Sequence, residues 1–303
     1  MNVLVSGATG LVGQALCTAL DETGHAVSSL LRRTSTSHPD AILWNPEAGT
    51  FDADNLDRFD AIVHLAGEPI AAGRWNEKRK ARILESRVAG TRLIAEQIAR
   101  AGGKPPVLIS ASALGFYGDR GDDVVTEAEP AGEGFLAEVC QAWEDATVPA
   151  SEAGARVVNL RIGMVLAAHG GALAKMLPPF RLGLGGPLGD GRMWMSWIHL
   201  NDLVRAILYL LDTPDIHGPV NAFAPNPLTN KEFTRTLGRV LKRPACIPVP
   251  APVLRLALGE MADALLLSSL RGTPGRLLQA DFRFEHPDLE AALADLLVRA
   301  PAR

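Results

Sequence analysis

The sequence has 303 residues, of which 47% are hydrophobic and 21% charged, enough apolar material for one large or two closely joined domains. A net charge of −4 speaks against nucleic acid as a principal partner, and no 18-residue apolar run suggests a membrane span. Cys17, Cys140 and Cys246 lie far apart and fit no metal-ligand spacing, so the expectation is a cytoplasmic protein without a metal site.

Asn2 to Ser6 reads as a short buried strand, followed by Gly7, Gly10 and Gly13 and then an apolar helical run from Gln14 to Leu20. The spacing G-x-x-G-x-x-G is a variant of the dinucleotide fingerprint, with the strand before it and the helix after it that the motif requires. The first glycine permits a tight turn, the second a close approach of backbone to a pyrophosphate, and the third close packing of helix on strand. The helix N-terminus offers unpaired N–H donors to the same anion. A bare structural turn is the competing explanation.

His25 to Leu31 is the second strand, and it ends on Arg32 and Arg33. Sites that prefer NAD place an acid here for the ribose 2′-hydroxyl, whereas a basic residue accommodates a 2′-phosphate. Two guanidinium groups in that place point to NADP(H) as the cofactor. Ala41 to Trp44 is a short strand candidate, and Asp60 to Gly67 a clearer one that ends on small residues. Asn76 to Arg100 has helical periodicity, and the run Lys78-Arg79-Lys80 reads as a solvated face. Pro106 to Ser110 is the next buried strand, Gly134 to Glu152 a helix, and Arg156 to Leu160 a further strand. Strands alternating with helices imply an α/β fold, a doubly wound parallel sheet with ligands outside the carboxyl ends of its strands.

Beyond Arg161 the texture changes, with glycine-rich loops, a short strand at Ser196 to His199, Asn201 as helix cap, and a strand at Gly218 to Phe223. Helical stretches follow at Asn230 to Leu241 and Val253 to about Leu270. The expected organisation is a dinucleotide-binding domain over 1–165, to which 196–225 returns, and a smaller, partly helical lobe over 166–303 that forms the substrate pocket. Helices flanking such sheets commonly pair, so a homodimer is the candidate assembly.

With these residues in hand, the chain resembles the extended short-chain dehydrogenase/reductase superfamily of sugar-nucleotide epimerases and dehydratases. Gly7 to Gly13, His64 to Gly67, Ser110 to Ser112, Tyr117-Gly118, Leu160-Arg161, and Trp197 to His199 with Asp202 fall in the superfamily's order. Leu65 to Pro69, Arg74 to Asn76, Gly115 to Gly118, Trp143-Glu144 and the tail Phe282 to Glu290 are most similar to the branch of YfcH-like epimerase family proteins. The resemblance implies that Thr9, Gly10, Leu11 and Val12 meet the pyrophosphate and that Arg32, with Arg33, meets the 2′-phosphate. It implies that Leu65, Ala66, Gly67 and Glu68 line the path from adenosine to nicotinamide. Arg87 would reach the cofactor phosphates or ribose, Ser110, Ala111 and Ser112 would border the nicotinamide, and Leu160, Arg161, Ile162 and Gly163 would cover it.

The superfamily's chemistry rests on a Tyr-x-x-x-Lys pair helped by a Ser or Thr, and this chain departs from it. The sequence has two tyrosines, Tyr117 and Tyr209, with Gly121 and Thr213 four residues later. By register, Phe135 stands at the tyrosine position and Val139 at the lysine position, and phenylalanine can neither give nor take a proton. Tyr117 with Ser112 could take over as the catalytic pair, tuned by Arg161, Lys175 or His199, or Tyr117 could be a wall residue. Two functions stay open on the sequence: an NADP-dependent oxidoreductase or epimerase acting on a small carbonyl or hydroxyl compound, and a non-catalytic NADP(H)-binding regulator.

Overall fold

A computed structural model describes residues 1–34, 41–51, 56–101 and 103–299. Its strands are β1 (Asn2–Ser6), β2 (Ala26–Leu31), β3 (Ile42–Asn45), β4 (Thr50–Phe51), β5 (Ala61–His64), β6 (Val107–Ala113) and β7 (Val124–Val125). Then come β8 (Val157–Ile162), β9 (Met164–Ala167), β10 (Trp194–Met195), β11 (Trp197–His199), β12 (Gly218–Ala222), β13 (Leu228–Thr229) and β14 (Arg271–Gly272). Among the described residues, eight of them form one sheet in the order β12-β8-β6-β5-β1-β2-β3-β4, parallel throughout except for the antiparallel β3–β4 pair. The doubly wound parallel sheet expected from the alternation of strands and helices is therefore present.

The helices are α1 (Leu11–Glu22), α2 (Glu77–Arg100), α3 (Phe135–Asp145), α4 (Val148–Glu152) and α5 (Gly171–Arg181). They continue with α6 (Leu200–Asp212), α7 (Asn230–Leu241), α8 (Ala251–Leu258), α9 (Gly275–Gln279) and α10 (Leu289–Ala294). The two-residue period of a strand decides which layer each side chain enters. Val3 and Val5 join Leu16, Leu20, Leu203 and Ile207 of α1 and α6 on one face, while Leu4 joins Leu93, Ile94 and Ile98 of α2 on the other. Burying such side chains contributes on the order of 2 kcal/mol each, which is what holds helices to both faces. The lobe has its own core, where Leu173, Phe180, Phe233, Leu237, Leu289 and Leu293 close around Trp197. No helix among the described residues is long and apolar enough to cross a membrane.

Several boundaries differ from the sequence-based expectation. The helix expected over 134–152 is two, α3 and α4, because Pro149 stands at the start of the second and the residues before it leave the first. β6 runs on to Ala113, so Ser110 and Ser112 are strand residues. Helix α6 is capped by the imidazole of His199, whose Nδ1 accepts from the Asn201 N–H at 3.1 Å, and Asn201 itself lies inside the helix. The stretch from Val253 onward breaks at Gly259 (φ 64°) and resumes as a wide turn over Ala262–Leu267. Of the segment 196–225, β12 enters the large sheet beside β8, whereas β11 pairs with β9 in a separate two-stranded ladder among the described residues.

Candidate nucleotide site

The glycine turn has the geometry its spacing implies. Gly7 takes φ 72°, a conformation that L side chains rarely adopt, and a Cβ there would come within 2.9 Å of the Leu65 and Ala66 backbone. A Cβ on Gly13 would overlap the Gly7 carbonyl oxygen and lie 2.8 Å from Ala8 Cα, so α1 reaches this depth only with glycine. Gly10 caps α1 without a side-chain hydrogen bond. The first N–H groups of α1, beginning with Leu11 and Val12, are thus left for a ligand. Thr9 and Gly10 are exposed, and the Thr9 carbonyl accepts from the Gln14 amide at 3.1 Å. This cradle, cut back to backbone on both sides, fits a pyrophosphate. Arg32 and Arg33 stand exposed just beyond the end of β2.

The segment after β5 forms the opposite wall. Leu65, Ala66 and Glu68 are half-buried and Gly67 exposed. The Glu68 N–H donates to Ser86 Oγ (3.1 Å), and Arg87 Nη1 donates to the Glu68 carbonyl (3.1 Å) and the Ile83 carbonyl (3.0 Å). Arg87 also lies over the Trp143 ring, and burial lowers its pKa. In this structure Arg87 braces the wall with that donor. Arg79, expected on a solvated face, is buried instead, paired with the Glu68 carboxylate at 2.5 Å and with the Pro69 carbonyl.

Beneath this crevice runs a polar network. Ser112 Oγ donates to Glu144 Oε1 at 2.7 Å, and Arg161 grips both Glu144 oxygens through Nε (2.8 Å) and Nη2 (2.9 Å). Arg161 Nη1 donates to the Tyr117 hydroxyl (2.9 Å), which donates to Asn221 Oδ1 (2.7 Å). The Arg161 guanidinium also lies 3.4 Å from the centre of the Phe116 ring. Tyr117 has 0% of its surface exposed and burial raises its pKa, so its proton is spent inside the protein. Ser112 is 2% exposed and gives its proton to α3 rather than to the crevice. Glu144 and Asn221 had no recognisable signal as partners of Ser112 and Tyr117, since they stand on α3 and β12 and only the fold joins them. Ser110, Ala111, Leu160 and Gly163 are buried too, and a Cβ at Gly163 would meet the Phe223 ring at 2.9 Å. Ile162 is half-buried at the end of β8.

At the position of the superfamily tyrosine, Phe135 opens α3 with its ring 5.1 Å from Trp75, edge to face, and 5.2 Å from Lys80 Nζ. Val139 is 2% exposed within the apolar side of α3. Lys80 pairs with Glu260 of the C-terminal lobe at 2.5 Å, and Lys175 Nζ donates to the Ala71 carbonyl at 3.4 Å. Trp44 is buried in the core, edge to face with His64.

His199 stacks on His286 at 3.8 Å, and its Nε2 lies 3.6 Å from Asp295 Oδ2. Because its Nδ1 accepts the capping N–H, the neutral ring carries its proton on Nε2 and has no lone pair there for a metal. Asp202 is fully buried and accepts the Glu285 and His286 N–H groups, both at 2.8 Å, so this corner clasps the tail.

Burial lowers the pKa of His64 to about 3, helped by the nearby Arg87, and burial with His286 beside it lowers that of His199 to about 4. Both rings are neutral in the fold, while the unfolded chain protonates them near pH 6.5. Lowered values make the folded state lose stability as pH falls, by about 2 kcal/mol per histidine between pH 7 and pH 5. Thermal unfolding at pH 5 is therefore expected roughly 5–10 °C below that at pH 7. His64→Asn should remove about half of that pH-dependent loss.

Comparison with known proteins agrees with this architecture. Residues 3–223 match the NAD dependent epimerase/dehydratase family, and residues 249–296 match a domain of unknown function, DUF1731. The epimerase family protein MT2273 of Mycobacterium tuberculosis is 44% identical over 291 residues, covering 96% of each chain. YfhF of Bacillus subtilis, another epimerase family protein, is 38% identical over 98% of both chains. The crystal structure of the human epimerase family protein SDR39U1 with NADPH is 36% identical, covers 98% of this chain and 99% of that one, and superposes with a TM-score of 0.90. The chain belongs to the NAD-dependent epimerase/dehydratase family, in the group that carries a C-terminal DUF1731 domain.

Proposed function

We propose that this protein binds NADP(H) in the crevice between the Gly7–Gly13 turn and the 65–68 segment, and that it acts as a non-catalytic sensor or regulator. The cofactor half of this reading is supported by the glycine cradle, the arginines at the end of β2, and the human relative that was crystallised with NADPH. The regulatory half rests on one observation: no group of the superfamily's proton-transfer set reaches the crevice. Phe135 and Val139 replace the tyrosine and lysine, and Ser112 and Tyr117 spend their protons on Glu144 and Asn221.

A second reading, an oxidoreductase or epimerase on a small carbonyl or hydroxyl compound, is favoured by the Lys80 ammonium over the Phe135 ring. That ammonium lies 5.2 Å from the centre of the ring that stands in the tyrosine's place. Titration with NADPH, NADP⁺, NADH and NAD⁺ tests the cofactor half. NADP(H) should bind more tightly than NAD(H), and Arg32→Asp should weaken NADP(H) binding by about tenfold or more while leaving NADH nearly unchanged. No binding to any of the four would overturn it. NADPH consumption on a carbonyl panel that Lys80→Met abolishes would replace the regulatory reading with the second one.

A further inference from the structure

His64 is the last residue of β5, fully buried, directly before the wall of the nucleotide crevice. Its Nδ1 lies 2.5 Å from Ser6 Oγ, at the end of the neighbouring strand β1. Two backbone N–H groups also point at that oxygen, Leu65 at 3.2 Å and Ala66 at 3.4 Å. Both N–H groups are donors, so the Ser6 proton must leave in the remaining direction, toward His64 Nδ1. This assigns the ring its tautomer, with Nδ1 as acceptor and the ring proton on Nε2. Nε2 is buried and has no hydrogen-bond partner among the described residues.

An orphaned buried donor costs stability, so the molecule carries at His64 a group that the core alone does not favour. The benefit is found next door. Ser6 is the hub that ties the Gly7 turn to the 65–66 backbone, and the two segments touch, since a Cβ on Gly7 would stand 2.8 Å from the Leu65 carbonyl carbon.

We propose that His64 is a positioning residue for the nicotinamide nucleotide: it takes the Ser6 proton, which leaves the Ser6 oxygen to hold the Leu65 and Ala66 N–H groups and fixes the 65–68 wall. The inference rests on the NADP(H) reading above. Leucine at 64 removes the acceptor, and the Ser6 hydroxyl then turns its proton elsewhere and releases the wall. Asparagine at 64 keeps an acceptor close to the place of Nδ1, and its amide brings two N–H donors in place of the orphaned Nε2–H.

The test is NADPH titration and thermal unfolding of the wild type, His64→Leu, His64→Asn and Ser6→Ala. His64→Leu and Ser6→Ala should each weaken NADPH binding about tenfold, the worth of one well-placed hydrogen bond. The melting temperature of apo His64→Leu should stay within about 3 °C of wild type, because one orphaned group replaces another. His64→Asn should bind within about twofold of wild type, although its unpartnered amide donors lower the melting temperature by a few degrees. If His64→Leu does not fold, Ser6→Ala decides the question: binding about tenfold weaker supports the role and unchanged affinity overturns it. If His64 only supported the core, His64→Leu would show the reverse pattern, with lowered melting and unchanged affinity. Wild-type binding that His64→Leu leaves intact overturns the role of His64 alone. Failure of the wild type to bind overturns the NADP(H) reading and the inference with it.

Discussion

Gly13→Ala is expected to abolish dinucleotide binding and to lower the melting temperature by roughly 10 °C. The methyl group would overlap the Gly7 carbonyl oxygen and approach Ala8 Cα and the Gly7 carbonyl carbon at 2.8 Å. All three are backbone atoms, and no rotamer change can relieve the contact. Gly7 cannot retreat either, because it lies against the Leu65 and Ala66 backbone. Helix α1 must therefore move off the turn, and Leu16 and Leu20, both fully buried, leave the cluster they share with Val3, Val5 and Leu203. Overpacking of this kind costs about 3 kcal/mol. The same movement withdraws the N-terminal N–H groups of α1 from the pyrophosphate. Gly24→Ala is the contrast: its φ of 79° strains any side chain, but nothing lies within 4 Å of the added carbon. It should cost about 1 kcal/mol and leave NADPH affinity unchanged. If Gly13→Ala bound NADPH within twofold of wild type, α1 would be free to slide and the turn would not be the rigid cradle described here.

The contrast between these glycines shows what the sequence can and cannot disclose. The Gly7–Gly13 turn was legible because its spacing is local: strand, turn and helix lie within 22 residues, and Gly10 and Gly13 both answer contacts with the Gly7 carbonyl. The parallel, doubly wound sheet was legible for the same reason, since apolar strands alternate with amphipathic helices and that alternation leaves few topologies. Other features depend on contacts that no local pattern encodes. His199 caps α6 because its ring turns back to the Asn201 N–H, whereas the preference rules favour Asn201 itself. Arg79 sits in a run of cations that reads as solvated, yet the fold brings Glu68 to it.

The catalytic positions show the same limit more sharply. The missing Tyr-x-x-x-Lys pair was evident from the positions of two tyrosines alone. What Tyr117 and Ser112 do instead was not, because their partners come from α3, β8 and β12, up to 104 residues away. Asn221 links the same network onward, since its N–H donates to Glu127 and its amide to the Thr273 carbonyl. These polar groups tie β6, α3, β8 and β12 to the segment that carries α9.

Glu144 holds the centre of that network, and its removal should be among the most damaging single changes in the protein. Arg161 is 3% exposed, and Glu144→Ala leaves its guanidinium buried without a counter-charge while the Ser112 hydroxyl loses its acceptor. Breaking a buried pair from one side costs about 3–5 kcal/mol, which corresponds to a loss of roughly 10 °C for a chain of this size. Glu144→Gln keeps the acceptor for Ser112 but not the charge, and should fall between wild type and alanine. The informative variant is the double substitution Glu144→Ala with Arg161→Met, which removes both charges and keeps apolar contact with the Phe116 ring. Since replacing a whole buried pair is often neutral, the double variant should regain more than half of the lost stability. Differential scanning calorimetry of the four proteins measures this directly. A double variant as unstable as Glu144→Ala would show that the carboxylate stabilises the fold through Ser112 and α3, and that the desolvated guanidinium contributes little to the loss.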